Sequence, residues 1–497
     1  MKLRLVGRGE TGHGDAGRGD ADLRAVPVAE GARPPKRRRA TAAGFTGRAG
    51  QAAEIVTRKR RWLLVGLGPA PDPPAAERAG ALAVARAGGA LRLQFDARGL
   101  SPETAAALAL GARLRAWRYD RSRTRPDPEA PRLRRIEVVV DDPDAARPAW
   151  EAMCAVLEGV LLARDLVAEP ADTLTPQTFA DRLDALRRAG VQVETLGPGR
   201  LREEGLGALL AVGGGSARSP GLLVLRWPGS PEAPDAPPVA FVGKGITFDT
   251  GGLCLKPAEG MWEMRADMAG AAACAGAMLA LALRRSPAPV AAVVPLAENA
   301  VGGASYRPGD VLRLFGGTTV EVVDTDAEGR LVLADALAWT VARLRPRAVV
   351  DLATLTGSVI VALGHHMAGL FGGDGAPGHD TPGHDTLAGQ VRAAGLAVGE
   401  EVWPMPIGER HRADLDSAIA DLRQCAAGRG QPDACHAAAF LREFVGGVPW
   451  AHLDIAGVEA RETADDRHPA GATGWGVRLL DRLVAARFEG RDADTAA

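Results

Sequence analysis

The spacing of apolar and polar residues predicts alternating strands and helices along most of the chain. In the first part of the chain, strands are predicted at Trp62–Leu67 and Arg135–Val140, with helices at Ala75–Ala87 and Pro102–Trp117. In the second part, strands are predicted near residues 191–195, 222–226, 238–242, 289–294, 318–323 and 347–352. The fold class is therefore predicted to be α/β. A smaller N-terminal α/β domain would precede a larger C-terminal domain with a mixed, mostly parallel sheet flanked by helices.

The chain has 497 residues, too many for a single hydrophobic core. We expect an N-terminal α/β domain over residues 1–149, a connecting helix over 150–167 and a second domain over 168–490. Residues 1–40 are expected to be flexible or divergent, because they include a Gly-rich stretch and the basic run Pro-Pro-Lys-Arg-Arg-Arg (34–39).

Composition excludes some classes of protein. The formal net charge of −1 gives no overall attraction to nucleic acid or to a membrane surface. Five scattered cysteines without CxxC spacing indicate reduced thiols, and the first residues lack the apolar core of a signal peptide. No apolar run reaches the length of about 20 residues that a membrane-spanning helix needs. We therefore expect a cytoplasmic protein without a membrane partner.

Candidate chemistry begins in the stretch 321–337. Val322 and Val323 close a predicted strand, and apolar residues at helical spacing follow Gly329. Asp326 and Glu328 stand two residues apart on the turn between them, so their carboxylates can approach one point, where a divalent cation would join them. A solvated acidic turn that caps the next helix is the alternative, and this stretch alone does not decide between them.

A second stretch, 238–270, carries two lysines and two aspartates in a glycine-rich loop. Lys244 and Asp249 lie among four glycines, Lys256 follows them, and Asp267 precedes a predicted helix at Met268–Leu283. A Walker phosphate loop is excluded, because Gly245 follows Lys244 where that loop needs Ser or Thr.

Three blocks in these stretches resemble one family. Asp-Thr-Asp-Ala-Glu-Gly-Arg-Leu (324–331), Val-Gly-Lys-Gly-Ile-Thr-Phe-Asp-Thr-Gly-Gly (242–252) and Met-Arg-Ala-Asp-Met (264–268) are similar to blocks of the leucyl aminopeptidase (cytosol aminopeptidase) family of two-metal peptidases. The resemblance covers about residues 25–487. It departs from the family at Asp324, where Asn is usual, and in 413–436, which would form a wall of the cleft.

The resemblance implies a metal-dependent aminopeptidase that attacks the first peptide bond with a water bridging two ions. It implies two divalent ions, Mn²⁺ or Zn²⁺, with Lys256 stabilising the oxyanion and Arg330 holding a bicarbonate that acts as general base. A structural role for Arg330 would instead pair it with Asp324 or Asp335. The metal ligands implied by the family pattern are Lys244, Asp249, Asp267, Asp326 and Glu328.

The resemblance also implies substrate contacts and partners. The block Asp-Leu-Ala-Thr-Leu-Thr-Gly (351–357) is similar to the family's substrate segment, which assigns Thr354, Leu355 and Gly357 to the cleft and Met264 to the first side-chain pocket. Peptides would be the substrates and a homohexamer the assembly.

Several alternatives remain open from the sequence. They are a DNA-binding accessory protein using the basic segment 33–61, a catalytically weak homologue, a two-metal phosphatase or nuclease, and a buried ion-pair network without metal. The repeat at 377–386, with His379 and His384, could bind metal but is more typical of a surface insertion.

Overall fold

The structure is a computed structural model that describes residues 1–7, 22–32, 44–56, 61–125, 127, 132–232, 236–372, 386–426, 428 and 431–490. The chain divides into two compact units. One comprises Met1–Leu157 and Arg461–Gly471, and the other comprises Glu158–Ala460 and Ala472–Ala497. The basic run 34–39 and the repeat with His379 and His384 lie outside the described residues.

The first unit is built on one six-stranded sheet. Its strands are β1 (Lys2–Val6), β2 (Leu23–Ala29), β3 (Ala52–Val56), β4 (Arg61–Gly68), β5 (Arg92–Asp96) and β6 (Arg135–Val139). Its helices are α1 (Pro73–Ala85), α2 (Pro102–Arg115) and the first part of α3 (Pro143–Ala168). The strand order is β1-β6-β5-β2-β4-β3, and only β3 pairs antiparallel.

Capping side chains explain where the helices of this unit begin. Asp72 and Ser101 accept hydrogen bonds from the first-turn amides of Ala75 and Thr104, and each is followed by proline, whose fixed φ suits the first helical turn. The sequence analysis placed no strand before Trp62, whereas the structure has three. Those strands are short or lie beside glycine- and arginine-rich segments that obscure their pattern.

The second unit carries ten further helices among the described residues. They are α4 (Asp184–Arg188), α5 (Pro198–Glu204), α6 (Gly207–Val212), α7 (Ala269–Leu283), α8 (Glu328–Leu344), α9 (Gly357–Leu363), α10 (Leu387–Val398), α11 (Glu409–Ala413), α12 (Asp433–Arg442) and α13 (Val477–Arg487). Short 3-10 helices lie at Ala180–Leu183, Gly213–Gly215, Met261–Ala266 and Phe315–Gly317.

The remaining described strands form one large sheet and two small ones. They are β7 (Gln192–Leu196), β8 (Gly221–Trp227), β9 (Val239–Gly243), β10 (Gly245–Asp249), β11 (Val290–Asn299), β12 (Val311–Arg313), β13 (Thr319–Glu321), β14 (Ala348–Ala353), β15 (Ala368–Phe371), β16 (Val402–Pro404), β17 (Leu422–Arg423), β18 (Trp450–Asp454), β19 (Ala460–Arg461) and β20 (Gly471–Ala472). The large sheet has the order β16-β15-β18-β14-β9-β11-β8-β7, with β10 beside β11.

The large sheet is mixed and mostly parallel, so the predicted fold class is confirmed. Parallel pairing joins the central strands to one another: β10 to β11, β11 to β9, β9 to β14, and β14 to β18. Antiparallel pairing joins β7 to β8, β8 to β11, and β15 to β18. One prediction was wrong: the strand expected at 318–323 is the three-residue β13, which belongs to a separate sheet of order β12-β13-β17.

Helices cover both faces of the large sheet. Helix α7 packs on β9 and β14 from one side, while α8 packs on β9 and β11 from the other.

The stretch Met261–Leu283 is apolar and long enough to cross a membrane by length and composition, longer than the sequence analysis allowed. Its most apolar window is 89% buried inside the protein, which is the environment of a core helix.

Candidate metal centre

Polar residues collect where the parallel strands of the large sheet end. Lys244 directly follows β9, Asp249 is the last residue of β10, and Asn299 is the last residue of β11. Thr354 directly follows β14, and Asp454 ends β18. Because these strands are parallel, their carboxyl ends lie at one edge of the sheet, which is where such folds bind ligands.

Three carboxylates converge at this edge. Asp249, Asp326 and Glu328 each offer an oxygen, and these oxygens all lie within 4.8 Å of one another. Asp267, two residues before α7, joins them through Lys244, whose Nζ lies 2.8 Å from Asp267 Oδ1 and 2.8 Å from Glu328 Oε1. The structure therefore brings together the residues that the sequence blocks singled out.

Two lysines partly neutralise the cluster. Lys244 is buried and also donates to the carbonyl oxygen of Thr354 at 3.0 Å. Lys256 is more open, and its Nζ lies 2.8 Å from Asp249 Oδ2 and 2.5 Å from Asp326 Oδ1. Four carboxylates face two ammonium groups, so the site retains excess negative charge that favours the binding of cations.

The pKa values show how strongly the groups interact. Burial raises the pKa of Asp326 to about 7, and the nearby charge of Asp249 adds to this shift while Lys256 opposes it. Burial also raises the pKa values of Asp267 and Glu328. Burial alone would lower the pKa of Lys244, but Asp267, Glu328 and Asp249 outweigh it and raise the pKa.

The donor set fits divalent cations. Asp267 Oδ2 is buried and has no hydrogen-bond partner in the described parts of the chain, although Oδ1 accepts from Thr354 Oγ1 at 2.8 Å. A buried carboxylate oxygen without a partner is costly, and a cation is the partner that it lacks. Carboxylate oxygens are ligands of Mn²⁺ and also bind Zn²⁺, so the cluster is chemically suited to either ion.

Two glycines make the close approach of these side chains possible. A Cβ on Gly329 would lie 2.7 Å from Lys244 Nζ, so any larger residue after Glu328 would displace the lysine. Gly251 has a φ of +84°, and a Cβ there would lie 3.0 Å from Asp326 Oδ1. The glycines of both sequence blocks thus serve the packing of the charged groups.

The loop before α8 differs from the predicted strand-to-helix turn. The strand ends at Glu321, and α8 begins at Glu328 itself. Gln424 holds the intervening loop, because its Oε1 accepts from Val323 N at 2.6 Å and its Nε2 donates to Asp324 O at 2.7 Å. Asp324 Oδ1 accepts from Asp326 N at 2.9 Å, a bond that the oxygen of the usual Asn could make equally well.

Arg330 is buried beside this loop but has neither of the structural partners named from the sequence. Its Nη2 donates to Asp433 Oδ1 at 2.7 Å, and its Nη1 donates to the carbonyl oxygen of Gln424 at 3.1 Å. Asp335 instead accepts from the backbone amides of Leu209 and Phe315. The suggested pairing with Asp324 or Asp335 is therefore replaced by contacts to Gln424 and Asp433.

The predicted substrate segment forms a turn between β14 and α9. Leu355 N donates to Asp454 Oδ1 at 3.1 Å, and Thr356 Oγ1 donates to Asp454 Oδ2 at 2.7 Å. A Cβ added to Gly357 would meet no atom within 4 Å, so the space beside it is open. Met264 is half-buried in the 3-10 helix that leads to Asp267.

Sequence reasoning missed several residues that position the site. Asn299 donates to Asp249 Oδ1 at 2.8 Å and to the carbonyl oxygen of Thr325 at 2.9 Å. It is the only asparagine in the 497 residues, a compositional signal that could have drawn attention to it. Gln424, Asp433 and Asp454 gave no comparable signal, because their contacts join segments far apart in the chain.

The strand-end cluster defines the protein as an α/β protein with a carboxylate-rich centre suited to divalent cations. Comparison with known proteins then gives its family. Residues 161–481 match the catalytic domain of the cytosol aminopeptidase family. The chain therefore belongs to that family.

Similar proteins agree with this assignment. A probable cytosol aminopeptidase of Caulobacter vibrioides is 43% identical over 464 residues, covering 91% of each chain. One from Methylobacterium radiotolerans is 44% identical over 409 residues, covering 82% of this chain and 78% of that one.

Two solved structures share the fold over nearly the whole chain. The bottromycin maturation enzyme BotP in complex with Mn has a TM-score of 0.81 at 39% identity, covering 94% of this chain and 99% of that one. A mutant tomato leucine aminopeptidase has a TM-score of 0.80 at 30% identity, covering 98% and 97%. The predicted function, a metal-dependent aminopeptidase, is confirmed at the level of the family.

Proposed function

We propose that this protein removes single residues, leucine among them, from the N-terminus of peptides by means of two divalent ions. The observation that carries the proposal is the convergence of Asp249, Asp326 and Glu328 within 4.8 Å. The names of its relatives support the aminopeptidase activity, and the manganese complex of BotP supports Mn²⁺ as one suitable metal.

Each cluster residue has a proposed place in the metal centre. Asp249 and Glu328 would bridge the ions, Lys244 and Asp267 would complete one, and Asp326 would complete the other. When bound, the two ions would lower the pKa of a water molecule and polarise the carbonyl group of the scissile peptide. Lys244 must lose its proton and its contacts with Asp267 and Glu328 before its nitrogen can act as a ligand.

Lys256 is proposed to stabilise the oxyanion formed when the peptide carbonyl is attacked. Its side chain is 20% exposed, against 4% for Lys244, so it is the lysine that can turn from the cluster toward a substrate. Because Asp249 and Asp326 raise its pKa against the opposing effect of burial, it carries a positive charge at neutral pH. A lasting positive charge beside the carbonyl oxygen of the substrate would stabilise the negative charge that develops there in the transition state.

Arg330 is proposed to hold bicarbonate, which would serve as the general base. A guanidinium group can bind a planar oxyanion through two parallel hydrogen bonds. Thr354, Leu355 and Gly357 are proposed to line the cleft, partly through backbone groups, and Met264 to line the pocket for the first side chain. The open space beside Gly357 supports this placement.

The assembly and the cellular location are also proposals. The family resemblance supports a homohexamer, which light scattering during size-exclusion chromatography would measure. The names of the relatives and the five free thiols support a cytoplasmic location. We expect no specific binding of duplex DNA, and a gel shift at low salt would test this.

One assay tests the central proposal. Purified protein should hydrolyse aminoacyl-p-nitroanilides, lose this activity after chelation and regain it with Mn²⁺ or Zn²⁺. Full activity in the metal-stripped protein would contradict the two-metal mechanism. Activity on peptides with a blocked N-terminus would contradict the exopeptidase assignment.

A further inference from the structure

Arg330 is a buried cation with an unused hydrogen-bond donor. Its side chain is 2% exposed, and it is among the largest fully buried side chains of the protein. Nη1 and Nη2 have acceptors in Gln424 and Asp433, whereas Nε is buried and has no hydrogen-bond partner among the residues that the structure describes. An unpaired N–H of a buried guanidinium group is unfavourable, so its position points to a missing acceptor.

The shape of the guanidinium group indicates which acceptor is missing. Nε and Nη2 form one edge of the planar group, and a planar oxyanion can accept from both through two of its oxygens. Asp433 uses only half of that edge, because a single oxygen, Oδ1, contacts Nη2 at 2.7 Å. At this edge, Asp433 therefore accepts one hydrogen bond, from Nη2, and none from Nε.

Asp433 is placed so that its side chain can leave without disturbing its helix. It is the first residue of α12, and its side chain is 40% exposed, so it can be hydrated once released. The helix has other anchors. Ala434 N donates to Ser358 Oγ at 2.8 Å, and His436 Nε2 lies 3.0 Å from Asp414 Oδ2.

We propose that Asp433 is a competing internal ligand that controls the binding of small planar oxyanions, of the carbonate class, to the Nε–Nη2 edge of Arg330. An anion from solution gains two hydrogen bonds by displacing the single contact of Asp433. The charge of Asp433 thus sets the anion concentration at which Arg330 is occupied. This inference rests on the proposed anion-binding role of Arg330.

The test compares bicarbonate binding to the full-length, metal-loaded wild type and to Asp433→Asn. The melting temperature is measured against bicarbonate concentration in degassed buffer at constant ionic strength, and hydrolysis rates are measured in parallel. Without its internal carboxylate, Asp433→Asn should melt lower than wild type and recover on addition of bicarbonate. Its half-saturating bicarbonate concentration should be at least about tenfold lower, which corresponds to about 1.4 kcal/mol.

Three comparisons make the test specific. Asp414→Asn removes the carboxylate charge that faces His436 on the same helix but leaves Arg330 paired, so its half-saturation should match wild type. Sodium acetate in place of bicarbonate separates a general carboxylate site from one that requires carbonate. Asp433→Ser also removes the charge and retains a polar side chain at the start of α12, and it serves if Asp433→Asn cannot be purified.

The inference is overturned if both charge-removing variants have the half-saturation of wild type. It is also overturned if they bind bicarbonate tightly in the melting experiment but lose activity that no anion restores, because Asp433 would then act on the reaction itself. The melting readout does not depend on peptide hydrolysis. A tenfold shift in a protein without aminopeptidase activity would refute the proposed function and leave this inference intact.

Discussion

Asp249 and Asn299 are register partners on the neighbouring parallel strands β10 and β11, and Asn299 Nδ2 donates to Asp249 Oδ1 at 2.8 Å. The same amide group donates to the carbonyl oxygen of Thr325, next to Asp326 in the chain. One side chain thus fixes a proposed bridging carboxylate relative to the loop that carries another proposed ligand.

We expect Asn299→Ala to weaken metal binding without removing a ligand. Loss of a hydrogen bond that orients a metal-binding carboxylate typically costs about 10–100-fold in metal affinity or activity. Competition titration with a chromophoric chelator would measure the change, and saturating Mn²⁺ should restore much of the rate. Unchanged metal affinity in a folded Asn299→Ala protein would show that Asp249 is held adequately by its other contacts, such as that from Gly251 N.

The Asn299 contact shows why part of the site could not be predicted from the sequence. Asn299 stands two residues after the long apolar run 290–297, and only the parallel pairing of β10 with β11 brings it to Asp249. The metal-centre residues themselves stand in compact sequence blocks with glycines, so their grouping could be predicted. The strands β12, β13 and β17 have three, three and two residues, too few for an alternating pattern to identify them.

Substitution of Glu328 is predicted to lower the metal content, whereas substitution of Lys256 is predicted to lower kcat. Glu328→Ala should lower the metal content, because it deletes a carboxylate from the cluster. Lys256→Ala should retain both ions and lower kcat by about 10²–10³, the usual loss for an oxyanion-stabilising donor. Metal analysis by mass spectrometry together with steady-state kinetics separates the two. If Lys256→Ala loses its metal as Glu328→Ala does, the two roles are assigned wrongly.

The metal-stripped protein should lose stability as pH rises from about 4 toward 7. The folded protein holds the proton of Asp326 with a pKa of about 7, above its ordinary value of 3.8, while the unfolded chain has already released it. Because the folded state binds more protons in this interval, the free energy of unfolding falls with pH. Thermal melts across the interval should show a decrease that Asp326→Asn reduces. An equal decrease in Asp326→Asn would assign the effect to other groups, such as Asp267 and Glu328, whose pKa values are also raised.

The absence of a side chain at Gly357 is predicted to leave room for the substrate, and the fold does not require it. A Cβ at Gly357 meets no atom within 4 Å, and the residue opens α9, so Gly357→Ala should fold with an unchanged or slightly higher melting temperature. If a substrate occupies the space, KM should rise about tenfold or more. Gly199→Ala is the matched control, since Gly199 lies in the first turn of α5 with equally open surroundings. Equal KM values in the two variants would remove Gly357 from the cleft.

Asp454 is predicted to hold the turn between β14 and α9, the proposed substrate segment, in its position. Its Oδ1 accepts from the backbone amides of Leu355 and Ala456, and its Oδ2 accepts from Thr356 Oγ1, all at 3.2 Å or less. Thr354, at the start of the same turn, contacts both Lys244 and Asp267, so the turn joins the cleft to the metal centre.

Two substitutions separate positioning by Asp454 from bulk stability. Asp454→Ala leaves the two amides and the hydroxyl without their acceptor, so the turn should loosen and KM should rise more than kcat falls. Asp454→Asn keeps an oxygen for the two amides, and its NH₂ can donate to Thr356 Oγ1, so its KM should stay within about threefold of wild type, as expected if the loss of one hydrogen bond is nearly compensated. Both variants should keep their metals, since Asp454 lies outside the carboxylate cluster. If both instead melt several degrees lower with KM unchanged, Asp454 stabilises the end of β18 and has no part in holding the substrate turn.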